Sequence, residues 1–148
     1  MSLDLLESLL NAALDFAVEH LRDQGSFYPF GAAVSAGEEP VLIGAFDADR
    51  ERPPAPALVP RLRARLVEGV RIGSWDAIAI VTDVLAPASP GAAPSTAIRV
   101  ELEHRDGSAV ESYLFYAQDA ETGELRSGRL VSQRRAPELL QNEDSGTA

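Results

Sequence analysis

The sequence contains no cysteine and no lysine, and it has only two histidines, one methionine and one tryptophan in 148 residues. Without cysteine, the chain can form neither disulfides nor thiolate metal sites, and it has no cysteine nucleophile. His20 and His104 alone do not suffice for a histidine-rich metal site. A chain of this length can bury roughly two-thirds of the surface that its unfolded form exposes. We therefore predict one domain that needs no metal and no cofactor.

Long apolar runs are also missing. No run of about 18 apolar residues is present, so we predict no membrane-spanning helix. Asp4, Glu7 and Asp15 interrupt the apolar residues near the N-terminus, which argues against a signal peptide. The 13 arginines are outnumbered by 23 acidic residues, and the net charge is −10. This charge opposes binding to nucleic acid and to anionic membranes. We therefore expect a cytoplasmic protein with neither of these partners.

The residues that are present predict two helices. Polar residues that recur every three or four positions predict an amphipathic helix over 3–22, which Gly25 ends. Apolar residues at four-residue spacing predict a second helix over 59–72, with Pro60 in its first turn. Trp75 is expected to cap the core beneath this second helix.

Strand patterns account for most of the remaining chain. We predict a hairpin over 30–46 and a strand over 77–85 that is apolar on both faces. Residues 126–132 are a candidate for one additional edge strand. The clearest hairpin joins 96–105 to 109–117 through a two-residue turn at Asp106-Gly107.

That two-residue turn sets a register for the hairpin. It opposes Val100 with Tyr113, so that Tyr113 and Phe115 share the apolar face of the sheet. Glu101 and Glu103 then lie on a solvated face as part of an ion-pair ladder with neighbouring arginines.

The element order αββαβββ predicts an α+β fold with an antiparallel sheet of about five strands and both helices packed on one face. We expect a single domain over 1–133 and a partly disordered C-terminal tail over 134–148. This order is similar to that of roadblock and profilin-like folds, which are usually interaction modules.

The segment FYPF, residues 27–30, is the strongest candidate for a site. Pro29 favours an extended Tyr28, and Phe30 begins the strand, so the rings are expected to fill the seam between the first helix and the sheet edge. The alternative is an aromatic-lined pocket in which Tyr28 lies beside Glu19 and His20.

Two resemblances involve this segment. Residues 27–34 resemble the helix-to-strand entry of cytidine deaminases, which hold a catalytic zinc ion. The predicted second helix has no Cys, His or Glu at its start, where those enzymes place a zinc ligand and the catalytic glutamate, so zinc deaminase chemistry is excluded. FYPFGA at 27–32 and TAIRVELEHRDG at 96–107 resemble a set of small uncharacterised bacterial proteins, mainly actinobacterial. That resemblance implies a shared fold over most of 1–117 and transfers no activity.

We expect a non-enzymatic binding or interaction protein that acts through a sheet face or edge. Its partner would be a basic protein that it neutralises, as an immunity protein does, or a second copy of the chain. The alternative is a small-molecule-binding domain or an enzyme with a pocket near Tyr28, His20 and Glu19. No catalytic residue is predicted, and the candidate binding residues are Glu19, His20, Phe27, Tyr28, Phe30 and Trp75.

Overall fold

A computed structural model of the chain describes residues 2–25, 27–44, 55–87, 90–119, 121–137 and 139–140. The two helices are α1 (Ser2–Gln24) and α2 (Ala55–Arg71). The strands, in chain order, are β1 (Phe30–Val34), β2 (Val41–Ile43), β3 (Ala77–Pro87), β4 (Pro94–His104), β5 (Ala109–Gln118) and β6 (Leu125–Arg134). All pair antiparallel in one sheet of order β2-β1-β3-β4-β5-β6.

The two helices cover opposite faces of this sheet. In β3, Ala77, Ala79 and Val81 belong to the core beneath α1, whereas Ile78 and Ile80 pack with α2. Successive strand residues point to opposite faces, so β3 lies between the two helices. We call the side of Ala77, Ala79 and Val81 the α1 face, and the side of Ile78 and Ile80 the α2 face.

The predicted α+β class, with helices packed on an antiparallel sheet, is confirmed. The sheet has six strands rather than about five because the segment around 126–132 pairs with β5, with one register shift between Leu114 and Tyr116. We predicted both helices on one face, and the structure places one on each. The reason is that the first five residues of β3 are buried on both sides, and one helix can cover only one of them.

The α1 helix follows its predicted pattern closely. A stripe at helical spacing is buried against β1, β3 and β4, and it consists of Leu6, Leu9, Ala13, Ala17 and Leu21. The helix ends where Gly25 adopts a φ of +78° and donates its N–H to the carbonyl of Leu21 at 2.9 Å. A glycine in this conformation is a common helix stop, so the chain can turn back toward the sheet.

The α2 helix starts at Ala55, four residues earlier than predicted, so Pro60 lies inside the helix rather than in its first turn. Leu62 and Leu66 are buried on the α2 face as expected. The helix lies close to β1, where a Cβ placed on Gly31 would approach Leu66 Cδ1 to 2.9 Å. Glycine at this position therefore allows close packing of α2 on the sheet.

The β4–β5 hairpin turns at the predicted place but with a three-residue loop. His104 donates its N–H to the carbonyl of Ser108 at 2.8 Å, and Gly107 donates to the carbonyl of His104 at 2.9 Å. Gly107 has a φ of +98°, and no non-glycine residue in the described ranges has a positive φ. Asp106 therefore does not adopt the conformation of the predicted type I′ turn.

The third loop residue shifts the hairpin register by one. Val100 opposes Ser112 instead of Tyr113. A shift of one residue exchanges the two faces of a strand. Tyr113 and Phe115 therefore lie on the α2 face, beside Arg99, and not in the core beneath α1.

The packed part of the chain extends beyond the predicted domain boundary. The segment after β6, which we expected to belong to a tail from residue 134, packs back on the α2 face as far as Leu140, with Leu139 almost fully buried. The rest of the predicted tail, 141–148, lies outside the described residues.

Neither α1 nor α2 is both long and apolar enough to cross a membrane, and the described residues contain no other candidate span.

Candidate functional site

A cavity of about 310 Å³ opens between the C-terminal half of α1 and the edge strand β2, and we call it the aromatic cleft. Helix α1, the segment before β1 and the end of β2 all contribute to its wall. The described lining residues are Phe16, His20, Gln24, Phe27, Tyr28, Pro29, Phe30, Leu42, Ile43 and Gly44.

Two local sequence features place the lining residues of this cleft together. Phe16, His20 and Gln24 are four residues apart, so they line up on one side of α1. After the helix stop, residues 27–30 run along the same side, and buried Pro29 leads into β1. The helix and the strand entry therefore present their rings to the same space.

The rings form a continuous cluster. Phe30 is only 6% exposed. The ring centroids of Phe16 and Phe30 are 4.8 Å apart, and those of Phe27 and Phe30 are 5.7 Å apart, both edge to face. His20 lies 4.3 Å from Phe16, measured between centroids. Such edge-to-face contacts are favourable, so one wall of the cleft is well packed.

Tyr28 lies at the rim of the cleft. Its side chain is 36% exposed, in contrast to buried Phe30 two residues later. Together with His20 and Gln24, it adds hydrogen-bonding groups to a wall that is otherwise apolar. A concave apolar site with a few convergent polar groups is the usual form of a small-molecule site.

The structure brings together four of the six candidate residues, namely His20, Phe27, Tyr28 and Phe30. Glu19 is exposed on α1 and does not line the cleft. Trp75 belongs to the core cluster beneath α2, on the other face, as expected. Its indole is so close to α2 that a Cβ on Gly69 would lie 2.2 Å from Trp75 Cζ3.

Among the lining residues that were not predicted from the sequence are Phe16, Gln24 and Leu42, together with Ile43 and Gly44. Phe16 and Gln24 were detectable, because each lies four residues from His20 on the same helix. Leu42 had no such signal, since its place depends on the pairing of β2 with β1, in which it opposes Ala32.

A second feature of interest is a group of five ionisable side chains on the α2 face, which we call the charged cluster. It consists of Arg99, Glu101, Glu103, Glu111 and Arg135. Arg135 contacts Glu101 at 3.1 Å and Glu103 at 3.0 Å, and Arg99 donates to Glu111 at 3.0 Å. The arginines bridge strands β4 and β5 and the segment after β6.

The predicted solvated ladder of Glu101 and Glu103 is wrong, because both side chains are buried. Glu103 is fully buried, and it accepts backbone N–H groups of Leu139 at 2.8 Å and Leu140 at 3.0 Å. The hydrogen bonds to its carboxylate thus hold Leu139 and Leu140 against the sheet. Buried carboxylates require this kind of pairing, because an unpaired charge is costly to desolvate.

Within the cluster, Tyr113 donates a hydrogen bond to Glu111. Burial raises the pKa of Glu111, but the hydrogen bond from Tyr113 and the charge of Arg99 outweigh it, so the pKa lies below its ordinary value. Burial raises the pKa of the Tyr113 phenol, and its bond to Glu111 raises it further. The pair is therefore held as a neutral phenol donating to a carboxylate.

A larger cavity of about 520 Å³ lies along the outer side of α2. Its described lining residues are Val59, Pro60, Arg63, Ala64, Val67, Glu68 and Leu139. Apart from Leu139, they all belong to one helix, so the polar groups do not converge from several elements as they do in the aromatic cleft.

The chain matches no protein-family model, no curated protein and no solved structure. In the described part of the chain, no group of three or more His, Asp or Glu side chains has the arrangement of a metal site.

Proposed function

We propose that this protein is a non-enzymatic binding protein whose aromatic cleft takes a small uncharged molecule. The observation that supports the proposal is the convergence of His20, Phe27, Tyr28 and Phe30 around one cavity. A pocket at this place was the alternative expected from the sequence.

The lining residues favour a ligand without a formal charge. None of the ten described residues of the wall is Asp, Glu, Arg or Lys. A charged ligand would lose hydration in the cleft without gaining an ionic partner from these residues, and that loss is costly. Glu19 and Asp23, exposed nearby on α1, would further repel an anion.

The shape and the rings favour a small planar ligand. The volume of about 310 Å³ is near the lower end of the range typical of ligand pockets. Phe16, Phe27 and Phe30 present ring edges and faces, with which an aromatic ligand can form further edge-to-face or stacked contacts. His20, Gln24 and Tyr28 would orient its polar edge by hydrogen bonds.

The test is a ligand-observed ¹⁹F NMR screen with fluorinated benzamide, indole and phenol as neutral probes, and fluorinated benzoate and benzylammonium as charged ones. Gln24→Trp should fill the cleft from its rim, because Gln24 is an exposed lining residue at the end of α1. Arg22→Trp is the matched control, since Arg22 is exposed on the same turn and does not line the cleft.

We expect at least one neutral probe to bind the parent and Arg22→Trp alike, and to bind Gln24→Trp about tenfold more weakly or not at all. The proposal is overturned if Gln24→Trp binds the probes as the parent does. It is also overturned if benzoate or benzylammonium binds as tightly as its neutral counterpart.

A further inference from the structure

β6 lies at the opposite edge of the sheet from the aromatic cleft. β6 is ten residues long and, among the described residues, pairs only with β5, with one register shift between Leu114 and Tyr116. The other edge strand, β2, has three residues. An edge strand presents a row of backbone N–H and C=O groups to which another strand can pair. β6 is thus the longer of the two edges available for strand addition.

The charge of β6 is opposite to that of the whole protein. The strand carries Arg126, Arg129 and Arg134, all exposed, and 125–134 contains no acidic residue. The full chain has a net charge of −10. A basic edge on an acidic protein attracts an acidic partner to one defined place.

The side chains of β6 are arranged unequally on its two faces. Leu130 opposes Leu114 on the α1 face and is 48% exposed. Arg126 opposes Ala117, one position along from the pair of Ser127 with buried Tyr116, so it lies on the α2 face. Over 126–130, a strand added beside β6 would therefore meet an apolar side chain on the α1 face and a cation on the α2 face. Arg134, which opposes Val110, lies on the α1 face.

A second copy of the chain does not fit this edge well. Pairing β6 with β6 would bring two strands of three arginines together, and like charges on neighbouring strands are destabilising. Nucleic acid has no row of backbone N–H and C=O groups with which to extend the sheet, and its uniform negative charge is opposed by the rest of the molecule. An acidic strand with alternate apolar residues carries less charge, can pair its backbone with β6 and avoids the contacts between arginines that a second copy would make.

We propose that β6 accepts an extended acidic segment of a partner protein as a seventh strand of the sheet. Main-chain hydrogen bonds to β6 would supply much of the affinity, and alternate side chains would supply the specificity. Acidic residues of the segment would face Arg126 and Arg129, and apolar residues would pack beside Leu130. This proposal is independent of the aromatic cleft.

The probe is a fluorescein-labelled octapeptide in which glutamate alternates with valine. One control peptide has the same sequence with alternate amides N-methylated, which removes strand pairing but keeps the charge. A second control replaces glutamate with lysine. Binding is measured by fluorescence anisotropy, and its position is read from the backbone amide shifts of the ¹⁵N-labelled protein.

Two charge-reversed proteins complete the experiment. The test variant is Arg126→Glu/Arg129→Glu on β6. The matched control is Arg61→Glu/Arg63→Glu, two exposed arginines on α2 with the same change in charge. Thermal melts of both variants confirm that exposed substitutions leave the fold intact.

We expect the glutamate peptide to bind the parent, to shift the amides of β6, and to bind the β6 variant at least about tenfold more weakly. The α2 variant should bind within about twofold of the parent. No binding at millimolar peptide, equal binding of the N-methylated peptide, or equal loss in the α2 variant would overturn the proposal. Tighter binding of an eight-residue oligothymidylate than of the peptide would overturn it as well.

Discussion

The two faces of the sheet are stabilised by different means. On the α1 face, α1 covers three strands with a core that is almost entirely apolar. On the α2 face, α2 packs mainly on β1 and β3, and the region over β4 and β5 holds the charged cluster. One face is therefore closed by hydrophobic burial, and the other partly by paired charges.

The difference shows what a buried charge requires. Burying apolar surface is favourable without any particular orientation of the partners. Burying Glu103 is tolerated only because Arg135 and two backbone N–H groups surround its carboxylate. A buried ion pair gives little net stability, but loss of one partner is strongly destabilising. The α1 face should therefore tolerate conservative changes better than the charged cluster does.

The largest loss of stability is expected for a substitution on the α1 face. Phe30→Ala removes a buried ring that contacts Phe16 and Phe27 and leaves a cavity. The free energy of unfolding should fall by about 3–5 kcal/mol. Chemical denaturation measures this, with exposed Leu85→Ala as a control that should change stability by less than about 0.5 kcal/mol. A parent-like midpoint for Phe30→Ala would refute its role in the core.

A somewhat smaller loss of stability is expected for a substitution in the charged cluster. Arg135→Met keeps much of the side-chain volume but leaves buried Glu101 and Glu103 without this cation, which should cost about 2–4 kcal/mol. Adding Glu103→Gln to this variant should restore part of the loss, because the buried charge is then removed. If Arg135→Met unfolds at the same denaturant concentration as the parent, the arginine does not hold the C-terminal segment.

The smallest effect is a dependence on pH. Since the pKa of Glu111 in the fold is below its ordinary value of 4.5, the ionised form stabilises the fold. This contribution is complete above pH 4.5 and is lost as the pH falls through the lowered pKa. Glu111→Gln should therefore be less stable than the parent at neutral pH, and the difference should narrow in acid.

Denaturation midpoints of parent and Glu111→Gln between neutral pH and pH 3 measure this difference. Exposed Glu19→Gln corrects for the loss of one negative charge. A constant difference between the two midpoints across that range would show that Glu111 contributes through neutral contacts alone.

Much of the fold could be predicted from the sequence because the signals are local. The apolar stripe of α1, its stop at Gly25 and the position of the β4–β5 turn were all correctly predicted. The rings of Phe27 and Phe30 pack together, and Phe30 packs against α1, as the sequence predicted. The register of β4 with β5 was missed, because two- and three-residue loops fit the same Asp-Gly sequence and differ only in backbone conformation.

That one-residue shift in register determined which side chains of β5 lie on the α2 face. In the observed register, Tyr113 lies beside Glu111 and Arg99. In the predicted register, it would have lain in the apolar core. Arg135, which contacts Glu103 in this group, follows it by 32 residues in the sequence. No local sequence pattern predicts a contact over that separation.

By itself, the sequence determined the helices, most strand positions, the absence of thiol chemistry and the clustering of rings after α1. These follow from side-chain periodicity and composition, which act over a few residues. Only the tertiary structure decided that the helices lie on opposite faces, that the rings border a cleft with Leu42, and that three glutamates share two arginines. Those arrangements depend on strand register and on pairing between distant segments. The energy of such pairing comes from contacts between residues far apart in the sequence, which local patterns do not specify.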